Sequence, residues 1–576
     1  MLLLPVPPRN TTLLIVECGL AMIAIATAFA WPRAGSPWFA RVESSFARLA
    51  HRRRLSVAAV GSFALLLRLA ILPLIPIPLP FVPDDFSFLL AADTFSHGRL
   101  TNPTPAMWTH LETIHVSMQP TYMSMYFPGH GLLLAAGQVL FGNPWIALLA
   151  VQALMCAALC WMLQAWLPPK WALLGGFIAV LRLGLFGVWI NTYHTGGSLA
   201  ALGGALVLGS LPRLMKTARH RYAMLMAAGI ALLILTRPYE GMLLCLPAAV
   251  VLGRWALFGK NRPSPSVLAR RAILPLALVV ATAAWMAYYD YRAFGSPTTL
   301  PYTVNRNTYA VAPYYIWQSQ RPEPVFRHEA MRRFYTVTEM DFFYQIHTLK
   351  GFVPYTLAKV QLALLFYSSF ALLVPLIMVR RVFLDRRIRF LVVCALVLAA
   401  GMVIEIFLLP HYVAPFTVVF YAIGLQAMRH LRLWTPEGKP VGLALVRFTV
   451  VLCVGMAALR LCAAPLHIVP SEFPPSDWNC TWFGPGPFGL ERAQIQAKLE
   501  QLPGGQLAIV HYNPRHEPLD EWVYNSADVD GSKVVWAREM DVANNLELVR
   551  YYKDRKVWLV EPDETPARVT PYTMPQ

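Results

Sequence analysis

Long apolar runs separated by short, often basic loops fill the chain from residue 11 to residue 464. A helix crossing the hydrocarbon core of a bilayer needs about 20 apolar residues, and the runs are of that order. They predict twelve spans, near 11–31, 55–79, 144–166, 171–190, 196–211, 222–236, 241–257, 272–291, 357–379, 390–409, 411–429 and 446–464. The run 131–141 reads either as a further crossing or as a helix lying in the interface. The first run lacks a basic n-region and a small-residue cleavage site, so it is expected to be a retained span rather than a signal peptide. No internal repeat is visible, and transporter-style duplicated halves are absent.

After residue 464 the pattern changes. Pro, Gly and Trp crowd 470–489, which reads as a linker. A helix is predicted at 490–502, β-like runs at 506–512, 533–537 and 556–560, and a further helix at 541–552. This alternation predicts a small α/β domain.

Composition agrees with a membrane protein: of 576 residues 56% are hydrophobic and only 14% charged. So apolar a chain could not cover its own surface if it were soluble. The net charge of +18 would suggest a nucleic-acid partner, but the cations sit in short loops at span ends. They include Arg52–Arg53–Arg54, Arg213 with Lys216, Arg270 with Arg271, and Arg380 with Arg381. Such loops are expected to be cytoplasmic, so the charge orients the chain and no nucleic acid is called for. The opposite side then receives two long loops, 80–130 and 293–356, and the tail. The eight cysteines contain no C-x-x-C pair, and Cys480 alone lies outside the apolar runs, so neither a disulfide framework nor a zinc site is predicted.

Candidate chemistry gathers on that outer side. Val82-Pro83-Asp84-Asp85-Phe86 opens the first long loop. Pro83 suits the first position of a short helix, Gly98 suits its end, and Asp84 and Asp85 would occupy the first turn. Carboxylates kept ionised there can act as a base or hold a cation or sugar hydroxyls, or they can simply cap the helix. Arg68, Arg182 and Glu405 lie within apolar spans, where an ionisable group is a functional candidate or one half of a structural pair. Three outer turns carry more polar groups than a hairpin needs: Asn191–Gly197 with His194, Thr236–Gly241 with Arg237 and Glu240, and Pro410-His411-Tyr412. Arg237 suits a phosphate, with an ion pair to Glu240 as its plain alternative. His411 either contacts phosphate or caps a helix. Tyr302, Tyr309, Tyr314, Tyr315 and Trp317 either stack on sugar rings or form an interfacial belt. There is no P-loop, G-x-G-x-x-G, H-E-x-x-H or G-x-S-x-G motif.

A membrane Arg followed by P-D-D, then A-A-D-T-F-S-H-G-R-L, Y-F-P-G-H-G and a late H-Y-V-A-P together resemble the GT-C glycosyltransferase superfamily. Among its members the chain resembles bacterial relatives of protein O-mannosyltransferases and lipid A aminoarabinose transferases, over about residues 55–430. The resemblance implies a polyprenyl-phosphate sugar donor, transfer with inversion, and the first acid, Asp84, as the base. The second acid of the motif is often Glu, and here it is Asp85. Because some members use a divalent metal such as Mg or Mn and others none, Asp85 is a candidate metal ligand and no cofactor is fixed.

The resulting expectation is a mainly α, polytopic, GT-C-like transmembrane helical bundle with a small C-terminal α/β extracytoplasmic domain, in a bacterial inner membrane. Residues 1–54 form an extra helix and a basic loop, 55–464 the catalytic module, and 465–576 the soluble domain. The expected activity is transfer of a hexose or pentose from a polyprenyl-phosphate donor to an envelope acceptor. Asp84 is the catalytic candidate, and Asp85, Arg237, Glu240, His411, Tyr412, His194 and Arg68 are the substrate-binding candidates. A transporter or flippase of lipid-linked sugars and a non-catalytic envelope assembly protein are the alternatives.

Overall fold

The computed structural model describes residues 11–260, 262–462 and 490–573. Cys480 and the Pro/Gly/Trp-rich 470–489 segment lie outside the described residues.

Helices dominate up to Cys462; most of the expected spans coincide with one, while others are shortened or broken. Among the described residues, five helices are long and apolar enough to cross a membrane: Pro144–Trp166, Gly197–Thr217, Pro238–Phe258, Pro265–Phe294 and Val441–Cys462. A sixth arises if Leu349–Tyr367 and Ser369–Leu384, bent by 100° at their junction, count as one broken span. Ile15–Ala30, His220–Thr236 and Arg389–Ile404 are apolar but shorter.

The shortfall has local causes. The run 55–79 yields a helix only over Arg53–Ala70, because Pro73, Pro76, Pro78 and Pro80 follow in quick succession and none can donate to a helix. The run 171–190 breaks into Pro169–Ala179, a π-helical turn Val180–Gly184 around buried Arg182, and Val188–Asn191. Pro410 and Pro415 delay the run 411–429, whose α-helix starts at Thr417. Pro128–Phe141, at 14 residues, is about 21 Å long and too short to cross. The bend at Ser369 is held from the N-terminal helix, where buried Glu17 accepts from the Ser369 hydroxyl and from Ala371 N–H.

Residues 490–573 form a four-stranded sheet in the order 534–538, 505–510, 555–561, 568–571. The first three strands are parallel and the last is antiparallel. Side chains on a strand alternate between faces. Ala508, Val510, Val534 and Trp536 therefore pack on Ile495 and Leu499 of the Leu490–Gln501 helix. Leu507, Ile509, Val535 and Ala537 take the other face, with Leu548 of the Val542–Tyr551 helix.

That second face does not end within the domain. It shares one apolar core with Phe86, Leu90, Leu111, Val116 and Tyr122 of the first long loop. Phe86 stacks on Tyr524 at 4.5 Å between ring centroids, with the Arg492 guanidinium 4.5 Å from the Phe86 ring. Polar ties close the seam: Tyr122 OH donates to Asn525 O (3.0 Å), Tyr524 OH to Ile114 O (3.1 Å), Arg538 Nε to Glu112 O (2.8 Å), and Ala527 N–H to Asp93 Oδ2 (2.7 Å). The tail thus rests on the helix that begins with the paired acids.

Candidate active site

Pro83–Ser96 is the helix that opens the first long loop. Val82 precedes it in extended geometry, no side chain caps it, and Gly98 follows with φ +70°. Capping is therefore not what Asp84 does. Neighbouring residues on a helix point about 100° apart, so the two acids face different surroundings.

Asp84 faces a cavity of about 390 Å³. The Tyr126 hydroxyl donates to its Oδ1, and His115 Nδ1 lies 3.5 Å from its Oδ2 and 3.0 Å from the Tyr126 oxygen. Burial alone would raise the Asp84 pKa. The charge and hydrogen bond of His115, then His194 and the Tyr126 hydroxyl, outweigh that and hold the carboxyl well below its ordinary range. Burial and the neighbouring Asp84 charge push Tyr126 upward, so it remains a donor. His115 occupies this place at φ +62°, a backbone region unfavourable to a side chain. Its carbonyl is held there by the Ser87 hydroxyl (2.7 Å) and Met125 N–H (3.2 Å).

Asp85 is fully buried and turned away from the cavity. Its Oδ1 accepts from Tyr193 N–H (2.8 Å), His194 N–H (2.9 Å) and His194 Nδ1 (2.8 Å), and its Oδ2 from Phe81 N–H (3.2 Å). Three of those donors converge on Oδ1 and one on Oδ2, all from the protein itself. Asp85, expected as a substrate contact or metal ligand, and His194, expected as a substrate contact, are brought to each other and do not line the cavity. Among the described residues, no three His, Cys, Asp or Glu side chains are grouped to hold a metal ion. Burial by itself would depress His194, but the Asp85 charge raises it above the ordinary imidazole value.

Arg237, Glu240, His411 and Tyr412 all line the cavity with Asp84. Arg237 sits at the junction of His220–Thr236 and Pro238–Phe258, its guanidinium 4.5 Å from the Tyr412 ring centroid. Its ion pair to Glu240 is long at 3.8 Å, and its one hydrogen bond among the described residues goes to Thr195 O at 3.4 Å. That leaves donor capacity for an anion. The helical turns Ala414–Phe416 and Thr417–Arg432 that follow His411 have no side-chain cap, and the His411 ring lies 6.4 Å from that of His194.

Arg68 is not part of this group. Buried, it donates to Ile75 O (2.9 Å), Pro76 O (3.2 Å) and Asn191 Oδ1 (3.1 Å), and stacks on Trp145. It fastens the proline-rich segment to the Asn191 turn and does not line the Asp84 cavity.

The loop 293–356 supplies the opposite wall. Tyr302, Tyr314 and Tyr315 line the cavity; Tyr309 instead donates to Glu112 (2.8 Å), and Trp317 is 63% exposed, stacked on Tyr315. Arg306, locked by Glu339 (2.7 Å to Oε2) and Ala312 O (2.6 Å), supports Arg321, which donates to the Arg306 carbonyl (2.7 Å) and also lines the cavity. Sequence reasoning missed His115, Tyr126, His130, Arg306 and Arg321. Tyr126 and His130 lie in the quoted Y-F-P-G-H-G motif; His115 and Arg321 have no local signal, as loop residues whose partners are distant in sequence.

No protein-family model and no curated protein matches the chain. Among solved structures it is similar to ArnT from Cupriavidus metallidurans in the apo state, at 14% identity and TM-score 0.45, covering 88% of this chain and 93% of that one. It is also similar to the Archaeoglobus fulgidus oligosaccharyltransferase in complex with Zn and sulfate, at 11% identity and TM-score 0.46, covering 88% and 67%. The same enzyme in complex with an inhibitory peptide and a dolichol-phosphate gives 12% and 0.45, covering 88% and 69%. These neighbours are GT-C glycosyltransferases. Likeness at these scores assigns no activity to this chain.

Proposed function

We propose that this chain is a multi-pass membrane glycosyltransferase that moves a sugar from a polyprenyl-phosphate carrier to a hydroxyl acceptor on the outer side of the membrane. The observation that carries the reading is one cavity holding an ionised carboxylate, Asp84, and a guanidinium with spare donors, Arg237, between walls of tyrosine rings. Inverting transfer needs a base on one side of the anomeric carbon and charge stabilisation on the other. Asp84 accepts the proton of the acceptor hydroxyl as its oxygen bonds to the anomeric carbon. The bond from that carbon to the carrier phosphate breaks, the phosphate keeps the electron pair, and Arg237 meets the charge that builds on it. Tyr126 and His115 hold the carboxylate in place. The account assigns no step to a metal, and the hydrogen bonds to Asp85 come from Phe81, Tyr193 and His194.

The reading includes a catalytic module over 55–464 and a soluble outer domain over 465–576, whose described part, 490–573, packs on the acid-bearing helix. Asp84→Asn tests it, because the amide keeps the size of the side chain and loses only its proton affinity. The expected outcome is normal yield and monodispersity in detergent with turnover of a polyprenyl-phosphate sugar pool reduced about 10²–10⁴-fold. Wild-type turnover in a well-folded Asp84→Asn protein would sink the mechanism and favour a transporter or assembly factor.

A further inference from the structure

A groove of about 440 Å³ lies among the helices Gly197–Thr217, His220–Thr236, Pro238–Phe258 and Pro265–Phe294. The last two pack on His220–Thr236 and scarcely touch each other, so a slot stays open between them. Small side chains keep it clear: Ala223 and Ala227 on its floor, Ala249 and Ala256 on one wall, Ala269 and Ala272 on the other. Its lining runs from His220 to Ile230, from Cys245 to Ala256 and from Leu268 to Val279. Each stretch is roughly 15–17 Å of helix, close to half of the ~30 Å hydrocarbon core. Arg237 and Glu240, which line the Asp84 cavity, sit at the other end of Pro238–Phe258, so the groove occupies the leaflet away from that cavity. Pro265–Phe294 is the least buried of the five crossing helices, and Ile273, Leu276 and Val280 along it are exposed. In a bilayer an open apolar slot of this kind is filled by a lipid chain.

The mouth of the groove says which lipid. Arg271 and His220 line that end. Arg219, Arg221, Arg254 and Arg270, each next in sequence to a lining residue, are exposed around it. The stretches 213–221 and 254–271 hold four and five Arg or Lys and no Asp or Glu. None of these cations is ion-paired among the described residues, whereas on the other basic loops Arg432 and Arg447 pair with Glu43 and His430 with Asp385. Arg271 spends one donor, on Ala218 O (2.6 Å), which leaves the rest of its exposed guanidinium for an anion. Orientation in the membrane needs basic loops, but it requires neither the exclusion of acids nor an apolar slot that ends among the cations. Basic pockets between crossing helices hold anionic headgroups.

We infer that this groove binds an anionic glycerophospholipid, with one acyl chain between the Pro238–Phe258 and Pro265–Phe294 helices and the headgroup phosphate on Arg271. The chain fills the gap between two helices that do not pack together. Pro265–Phe294 leads into the loop 293–356, which walls the Asp84 cavity, so the lipid steadies an element that reaches that cavity from the opposite leaflet.

The test titrates full-length protein in a neutral detergent with dioleoyl phosphatidylglycerol, or with dioleoyl phosphatidylcholine as a net-neutral lipid of the same chains. Bound lipid is counted by native mass spectrometry. Phosphatidylglycerol is expected to fill one saturable site about tenfold more tightly than phosphatidylcholine. Arg271→Gln keeps a donor for Ala218 O and loses the charge; it is expected to weaken binding about tenfold, the scale of one charge-assisted hydrogen bond. Ala249→Phe keeps every cation and fills the groove from an exposed position, so it is expected to abolish the saturable site. If it fails to fold, Ala269→Phe does the same from the facing helix. Arg48→Gln removes equal charge from another basic loop and is expected to leave binding unchanged. Equal affinity for the two lipids, or unchanged binding in monodisperse Arg271→Gln or in the groove-filled variant, overturns the site. So does an equal loss in Arg48→Gln and Arg271→Gln, which would make the attraction one of net charge alone. A polyprenyl phosphate that displaces phosphatidylglycerol at equal or lower concentration assigns the groove to that carrier and overturns the phospholipid. Because turnover is not measured, failure here leaves the glycosyltransferase reading untouched.

Discussion

At the residue scale, two adjacent aspartates do unlike work because a helix turns them about 100° apart. Asp85 spends its oxygens on four donors from Phe81, Tyr193 and His194. Replacing it removes a charge acceptor from buried N–H groups, so Asp85→Asn is expected to lower stability by about 1–3 kcal/mol. The pH signature is distinct. His194 has a raised pKa through Asp85, so the pair's contribution is fully present below about pH 6.5 and is lost as pH rises through the raised value. Thermal melts in detergent from mildly acidic to alkaline pH should show that loss in the wild type and not in Asp85→Asn. Arg237 faces a different demand. Its planar fork over Tyr412 suits a phosphate better than an ammonium does, so Arg237→Lys is expected to fold normally with turnover reduced about tenfold or more. Unaltered turnover in Arg237→Ala would move the phosphate contact to Arg321 or His411.

At the scale of elements, the Pro83–Ser96 helix is held from both sides. Asp85 anchors its start to the Asn191–Gly197 turn, and Phe86, one residue on, anchors it to the tail through Tyr524 and Arg492. An aromatic pair of this kind is worth about 0.5–1.5 kcal/mol beyond its buried area. Tyr524→Ala also removes the hydrogen bond to Ile114 O, one residue from His115. The expected outcome is faster proteolytic release of the 490–573 region together with reduced turnover, while Tyr524→Phe, which keeps the ring, is milder in both. Release of the tail with turnover unchanged would show that docking does not position Asp84.

For the whole molecule, the seam constrains topology. Residues of 107–118 share a core with Tyr524, Ala527, Val529, Val535 and Ala537, so they lie on one side of the membrane. The distribution of basic loops makes that the outer side in our reading. Single cysteines placed in 99–106 and in 562–567 should both react with an impermeant maleimide in intact cells or after outer-membrane permeabilisation. Labelling only after lysis would reverse the orientation and move the cavity to the cytoplasmic face.

Local pattern determined a good deal by itself. Apolar runs made the chain a helical membrane protein, and alternation placed the tail strands within a residue or two of Gly505–Val510, Val534–Arg538 and Arg555–Glu561. Pro83 and Gly98 bounded the first outer helix, and an excess of polar groups in tight turns singled out Arg237, Glu240 and His411, which line the cavity. Tertiary structure alone decided the rest. Hydropathy counts residues and does not register that prolines, a π-turn and a 100° bend interrupt apolar runs. Nor does it encode which acid meets which partner: Asp85 finds His194 across 109 positions, Tyr122 finds Asn525 across 403, and His115 reaches Asp84 only because Ser87 and Met125 hold its backbone at positive φ. Helix and strand periodicities extend over a few residues, whereas a cavity is assembled from side chains whose neighbours are set by packing, and that information lies in no single stretch of the chain.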